Sequence, residues 1–82
     1  MAQARVELRL PALDVDGVNI SVCSWHAARG TRVVEGDRLL ELLAGEVTVD
    51  LDSPATGILI ERCVAIDELL ATGQLLAIIE VA

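Results

Sequence analysis

The sequence lacks lysine, phenylalanine and tyrosine, and it has a single tryptophan, Trp25, among its 82 residues. Apolar residues make up 54% of the chain, so any core must be filled with leucine, isoleucine, valine and alanine. All six basic residues are arginine, and thirteen acidic residues outnumber them to give a net charge of −7. Nucleic-acid backbones and anionic membranes require basic patches, so we expect neither as a partner. A basic protein partner fits this charge better.

The chain also lacks a long apolar run and an amino-terminal targeting signal. Asp67, Glu68 and Gln74 interrupt its most hydrophobic third, so no stretch approaches the ~20 residues of a transmembrane helix. The opening MAQARVELRL has neither the apolar centre nor the cleavage site of a signal peptide. We therefore expect a cytoplasmic protein. This length supports one small domain, assigned to residues 1–82, and we expect the isolated domain to be monomeric.

Cysteine and histidine are scarce, and their spacing indicates neither a metal site nor a redox motif. A zinc site on His26 would need carboxylates to complete it, and we expect no metal. Cysteine is among the most buried residue types, so Cys23 and Cys63 are predicted to be reduced core thiols. A nucleophilic pair of Cys63 and His26 would lack an orienting group and an oxyanion site, which argues against catalysis.

The apolar pattern has the period of β-strands rather than helices. Residues 5–11, RVELRLP, and 18–27, VNISVCSWHA, alternate apolar with polar positions. Four further segments have strand length: LLELLA, VTVDLD, GILIERCV and LLAIIEV. LDVDG predicts a loop, and ARGTRVVEGD predicts two tight turns around a short bridge. AIDELLATGQLL predicts a turn and short strand, because Gly73 would weaken a helix there by about 1 kcal/mol.

An internal repeat supports an all-β domain of two related halves. Shifting the chain by 37 residues superimposes the following pairs: Gly36 on Gly73, Leu39 on Leu76, Leu42 on Ile79, Gly30 on Asp67 and Val22 on Leu59. This shift aligns EGDRLLELL with TGQLLAIIE. We expect two halves of about four short strands each, related by a pseudo-twofold axis and closed over one aliphatic core.

The stretch from 40 to 57, LELLAGEVTVDLDSPATG, predicts a β-hairpin with Glu46 at its tip. A two-residue loop with glycine first, Gly45 then Glu46, is typical of a type II′ turn. Its register would pair the following residues on the core face: Ala44 with Val47, Leu42 with Val49 and Leu40 with Leu51. The opposite face would pair Leu43 with Thr48 and place two like charges, Glu41 and Asp50, side by side.

The order of these motifs resembles a known family. VEGDRLLELLAGEVTVDLDSPATGIL is similar to the lipoyl domain of 2-oxo acid dehydrogenase acyltransferases, related to biotinyl carrier domains, whose pattern is roughly EGDxLxEVETDKAxVxxxSPxxG. The likeness extends from the opening LPAL, through Trp25 and GTRVVEGD, to SPATG and the closing GQLLAIIE. The resemblance implies a flattened β-barrel, or barrel-sandwich hybrid, of two four-stranded halves.

The resemblance places Glu46 where the family carries its modified lysine, because the family's tip Asp-Lys-Ala falls on Gly45, Glu46 and Val47. Lipoate and biotin are attached as amides of a lysine ε-amine, and a carboxylate has no nitrogen to acylate. No other register restores the lysine, since the chain has none and arginine does not replace it. The only amine is at Met1. We therefore expect no bound cofactor, neither lipoate nor biotin.

The remaining motif residues have structural interpretations. Trp25 occupies the family's tryptophan position and is interpreted as a packing residue. Three glycines are interpreted as backbone residues at tight turns: Gly36, Gly57 and Gly73. Ser53 and Pro54 turn the chain between halves, and no base is evident that would activate Ser53, so we expect no catalytic residue.

Three functions stay open. The first, which we favour, is a protein-binding or scaffolding module without a prosthetic group. Its acidic residues would meet an arginine-rich partner through charge-assisted hydrogen bonds, and the candidates are Glu41, Glu46, Asp50 and Asp52. The second is a swinging-arm carrier of a 2-oxo acid dehydrogenase acyltransferase in a form that cannot be modified. The third is the barrel subdomain of an export adaptor, which is weakened because no long coiled hairpin separates the halves.

Overall fold

The computed structural model describes residues 4–13 and 18–81, and within them it contains eight strands and no helix. The strands are β1 (Ala4–Arg9), β2 (Ile20–Trp25), β3 (Arg32–Val33), β4 (Arg38–Ala44), β5 (Val47–Asp52), β6 (Gly57–Arg62), β7 (Leu69–Leu70) and β8 (Leu75–Val81). Met1 and most of the predicted LDVDG loop, residues 14–17, lie outside the described residues. No helix in this part of the chain could cross a membrane.

The strands form two four-stranded antiparallel sheets. One sheet has the order β1-β8-β6-β3, and the other, which we call the hairpin sheet, has the order β5-β4-β2-β7. Each sheet takes two strands from the first half of the chain and two from the second. The strand pairing found in the described residues stays within each sheet, so the domain is a flattened sandwich whose sheets are not closed by pairing. The all-β prediction is confirmed.

The two halves are related as the repeat predicted. Adding 37 to the bounds of β2, β3 and β4 gives those of β6, β7 and β8. β1 corresponds to β5 with a shift of 43, because the connection from β1 to β2 is six residues longer than the one from β5 to β6. The sheet orders map onto each other under the same correspondence. The chain therefore builds one supersecondary unit twice and interleaves the copies.

The symmetry extends to single hydrogen bonds in the turns. The Gly36 amide donates to the Ser53 carbonyl, and at the equivalent position the Gly73 amide donates to Leu10. Gly36 and Gly73 both have a positive φ, of 93° and 85°, which confirms the prediction that these glycines serve tight turns. Equivalent glycines therefore have the same backbone conformation and make the equivalent hydrogen bond in both halves.

An aliphatic core lies between the sheets, as the composition required. Eight large side chains are at most 2% exposed: Leu10, Leu39, Leu40, Leu42, Leu59, Leu76, Ile79 and Val22. Trp25 packs against this cluster, and its indole donates a hydrogen bond to the Val64 carbonyl at 3.1 Å. This contact agrees with the interpretation of Trp25 as a packing residue. Ser53 is buried as well, and its hydroxyl donates to the Ala55 carbonyl at 2.7 Å.

The prediction of buried thiols is wrong, because Cys23 and Cys63 are both exposed free cysteines. Strand β2 has a register shift between Val22 and Ser24, so Cys23 is the extra residue of a β-bulge. Cys63 comes immediately after the last residue of β6 and lies outside the sheet's alternation. In both places an interruption of the regular strand overrides the burial preference of cysteine.

Gly57 requires a second correction, because it begins strand β6 and does not lie at a tight turn. A Cβ at this position would lie 2.2 Å from the backbone oxygen of Glu80 in the neighbouring strand β8. Real Cβ atoms do not approach backbone that closely, so only glycine permits this contact between the two strands. Gly57 is needed for space rather than for a special φ.

Candidate functional site

The hairpin of β4 and β5 has the predicted register. Its Cα pairs are Ala44 with Val47, Leu43 with Thr48, Leu42 with Val49, Glu41 with Asp50 and Leu40 with Leu51. Gly45 has a φ of 63°, whereas Glu46 is not among the residues with positive φ. A type I′ turn would need a positive φ at both positions, so this pattern fits the predicted type II′ turn.

The hairpin tip presents one carboxylate among exposed apolar side chains. Glu46 is exposed, and the adjacent Val47 and Val18 are 63% and 42% exposed. The segment before β2 supports the turn, since the Gly45 amide donates to the Asn19 carbonyl at 3.2 Å. Val18 packs closely against Gly45: a Cβ added to Gly45 would lie 3.3 Å from the Cγ1 of Val18. The turn is therefore held by the pairing of β4 with β5 on one side and by the hydrogen bond to Asn19 on the other.

One of the two like charges of the hairpin stem, Asp50, contacts two nitrogen-bearing side chains. His26 Nε2 lies 3.3 Å from Asp50 Oδ1, and the Arg38 Nη1 lies 3.4 Å from Asp50 Oδ2. The side chains of His26 and Asp50 are about one third exposed, whereas that of Arg38 is 70% exposed. These contacts are solvated, so each stabilises the fold by less than about 1 kcal/mol. The charge of Arg38 nevertheless reduces the repulsion between Asp50 and Glu41.

The stem also brings together a set of metal-ligating side chains that the sequence did not indicate. In the described part of the chain, the ligand-capable atoms of His26, Glu41 and Asp50 all lie within 4.8 Å of one another. The pairing of β4 with its two neighbours explains how this cluster forms, because it places Glu41 opposite both Ser24 and Asp50. His26 lies two residues beyond Ser24 and therefore projects from the same face of the sheet.

The four predicted partner-binding acids do not form one patch. Glu46 is at the tip, and Asp52 is six residues further along, a distance of roughly 20 Å at the ordinary strand rise of about 3.3 Å per residue. Glu41 and Asp50 lie between them and adjoin each other. The structure therefore brings Glu41 and Asp50 together and leaves Glu46 and Asp52 at opposite ends of the hairpin.

The two thiols have raised pKa values for different reasons. The Glu41 carboxylate raises the pKa of Cys23, chiefly by accepting a hydrogen bond from the thiol, and slight burial and the charge of Asp67 add to this effect. Slight desolvation of the otherwise exposed Cys63 raises its pKa, and the charges of Glu61 and Glu7 add to this effect. Neither thiol is therefore activated as a nucleophile. Among the described residues the His26 side chain is hydrogen-bonded to Asp50 and not to Cys63, so the nucleophilic pair considered from the sequence is not assembled.

Trp25 lies beside a shallow surface groove. The Arg62 guanidinium is 5.6 Å from the centroid of the indole ring, and Val64 and Ile66 line the same groove. This distance is within the range of a cation–π contact. The tryptophan is therefore engaged by the protein itself from both its nitrogen and its ring face.

A comparison with protein families gives the identity of this fold. The model of the biotin/lipoyl family, described as "Biotin-requiring enzyme", matches residues 6–79. The match covers most of the chain, so this protein belongs to the biotinyl/lipoyl domain family. Domains of this family are carrier domains that are not catalytic by themselves. A search of curated proteins found no match.

Proposed function

We propose that this domain is a protein-binding or scaffolding module of the biotinyl/lipoyl family that carries no prosthetic group. One observation supports the proposal above the others: the hairpin tip is built as a two-residue turn with Glu46 exposed, in a chain that contains no lysine. In the family alignment suggested by the sequence motifs, Glu46 takes the place of the attachment lysine.

The residues present at the tip do not fit an attached lipoyl or biotinyl group. Attachment forms an amide between the carboxyl group of the cofactor and a side-chain amine. Glu46 offers a carboxylate, and its neighbours Gly45 and Val47 offer no nucleophilic side chain at all. An arginine guanidinium is not an acceptor for this ligation. We therefore assign no swinging-arm chemistry to this hairpin.

The surroundings of Glu46 support a binding role. A carboxylate flanked by exposed valines offers both a charged hydrogen-bond acceptor and apolar contact area, which suits a basic residue with a long aliphatic stem. None of the ion pairs found among the described residues involves Glu46. Asp50, in contrast, already contacts Arg38 and His26. Of the four acidic candidates, Glu46 is therefore the one that we expect to contribute most to binding.

The first test asks whether only the amine has been lost. Purified wild-type protein and Glu46→Lys are incubated with a lipoate ligase, and separately with a biotin ligase, and each product is examined by intact mass. We expect the wild type to keep its unmodified mass and Glu46→Lys to gain one lipoyl or biotinyl group. The exchange at this exposed position should change the free energy of unfolding by within about 0.5 kcal/mol.

Two results would change the proposal. An added cofactor mass on the wild type would contradict it directly, because the domain would then be a carrier. Failure of Glu46→Lys to be modified would show that the surrounding surface has also diverged from the carriers. That second result would leave the binding role in place and remove the family's tip geometry as an argument for it.

The second test addresses the partner. Proteins captured by the wild type are compared quantitatively with those captured by Glu46→Arg and by Glu35→Arg. Glu35 is an exposed acid in the turn before β4, at the opposite end of the hairpin, so its reversal changes the net charge equally. We expect at least one partner to be lost with Glu46→Arg alone. If both reversals have the same effect, or neither has any, the acidic tip is not a binding site.

A further inference from the structure

The outer face of the hairpin sheet contains three side chains of the kinds that bind transition metals, each from a different part of the sheet. Asp50 lies on the edge strand β5, Glu41 on its neighbour β4, and His26 directly after β2. We infer that His26, Glu41 and Asp50 bind one divalent transition-metal ion of the Zn²⁺ class. This site is on the stem of the hairpin and is independent of the function proposed for its tip.

The backbone holds the three residues in place before any ion arrives. Glu41 and Asp50 are direct cross-strand partners, and the His26 amide donates to the Leu39 carbonyl at 2.9 Å. Ligands placed on adjacent paired strands are more rigid than ligands on loops. The site therefore needs side-chain adjustment and no rearrangement of the chain.

The distances suit a small ion. Zinc binds nitrogen and carboxylate oxygen at about 2.0–2.2 Å, so tetrahedral ligand atoms lie roughly 3.3–3.6 Å apart. His26 Nε2 and Asp50 Oδ1 are already 3.3 Å apart. All three ligand-capable atoms lie within 4.8 Å of one another, so the remaining approach is a rotation of side-chain torsions. Three protein ligands would leave the fourth position to water.

The electrostatics of the stem favour a cation between the two carboxylates. Like charges directly opposite each other in an antiparallel pair are destabilising. Arg38 offsets this only partly, because its 70% exposed guanidinium contacts Asp50 Oδ2 and leaves Oδ1 facing His26. A divalent ion bound by Oδ1 would neutralise both carboxylates, while Arg38 would keep its contact with Oδ2. Such outer hydrogen bonds orient ligating carboxylates in metal sites.

The donor set selects the class of metal. Ca²⁺ and Mg²⁺ take oxygen ligands, with six or more positions filled, and gain nothing from an imidazole. One imidazole nitrogen with two carboxylate oxygens suits ions such as Zn²⁺, Co²⁺ and Ni²⁺. Cys23 lies beside Glu41, but the ligand set is complete without its sulfur. The thiol is therefore assigned no direct bond to the ion.

Calorimetric titration of the protein, without a histidine tag, with Zn²⁺ tests the assignment. We expect one ion per chain, and a loss of affinity of at least about tenfold in His26→Gln and in Asp50→Asn. Asp52→Asn is the matched control, because Asp52 is exposed on the same strand and lies outside the ligand set. It should keep the wild-type affinity within about twofold, and neither Ca²⁺ nor Mg²⁺ should displace the zinc.

A thiol substitution and circular dichroism complete the design. Cys23→Ser and Cys63→Ser should both retain the single site, because neither sulfur is a ligand. The inference is overturned if the wild type binds no Zn²⁺, if His26→Gln binds as tightly as the wild type while remaining folded, or if either serine variant abolishes binding. Each of these results leaves the proposed role of Glu46 unaffected, since that residue is not part of the site.

Discussion

At the scale of single residues, the two thiols predict how stability depends on alkaline pH. Both have pKa values above the ordinary one, so the native state keeps their protons to a higher pH than the unfolded chain does. The stabilisation is complete below the unfolded thiol pKa, roughly 8.5, and is lost as pH rises from there through the native pKa. We expect the midpoint of urea unfolding to fall over this range, and to fall less in a variant with both cysteines changed to serine.

The cause of the raised pKa of Cys23 can be tested separately. The Glu41 carboxylate is the principal cause, so Glu41→Ala should lower the pKa of Cys23. The titration is followed by thiolate absorbance in a Cys63→Ser background, with a chelator present. Glu61→Ala is the matched control, because Glu61 acts on Cys63 instead. Equal titration curves for all three proteins would show that the Glu41 carboxylate does not interact with the thiol.

At the scale of elements, strand β4 shows why the hairpin could be predicted and the cysteines could not. In the stretch before the turn, Leu42 and Ala44 are buried and Leu43 is exposed, which is the alternation read from the sequence. A two-residue turn starting with glycine fixes the partner of every residue that follows, so one local motif determines a register. The bulge at Cys23 interrupts the alternation of β2, and no residue type near it indicates a bulge.

Two neighbouring leucines of β4 give a matched test of this register. Leu42 is completely buried, so Leu42→Ala should lower the free energy of unfolding by about 2–5 kcal/mol through lost burial and a cavity. Leu43 is 38% exposed on the opposite face, and Leu43→Ala should cost less than about 1 kcal/mol. Urea unfolding followed by Trp25 fluorescence measures both. Similar losses for the two variants would mean that the register of β4 is wrong.

At the scale of the whole molecule, the repeat predicted more of the fold than any single strand did. The shift of 37 residues gives the bounds of three strands from three others, and both sheet orders follow the same correspondence. The cluster of His26 with Asp50 did not follow from the repeat. Its members are 24 residues apart and meet only through the pairing of β2 with β4 and of β4 with β5. Symmetry predicts the framework, and the differences between the halves create the site.

Asp67 is a place where the two halves use different residues for the same backbone conformation. Gly30 has a φ of 88°, and its equivalent Asp67 has a φ of 68°, the one positive value found for a non-glycine residue in the described chain. Each amide donates to the opposite half, from Gly30 to Leu59 and from Asp67 to Val22. A side chain in this region is strained, although aspartate tolerates it better than most residues do.

We therefore expect Asp67→Gly to raise the free energy of unfolding by up to about 1 kcal/mol, because relief of the strain exceeds the added freedom of the unfolded chain. Asp67→Ala should lower it, since alanine lacks the tolerance of aspartate for positive φ. Gly30→Ala should lower it by about 1 kcal/mol or more, although a Cβ there would meet nothing within 4 Å. Urea unfolding of the three variants decides the matter. Destabilisation by Asp67→Gly would mean that the aspartate side chain, rather than the backbone alone, stabilises this turn, and the equivalence of the two turns would then be limited to geometry.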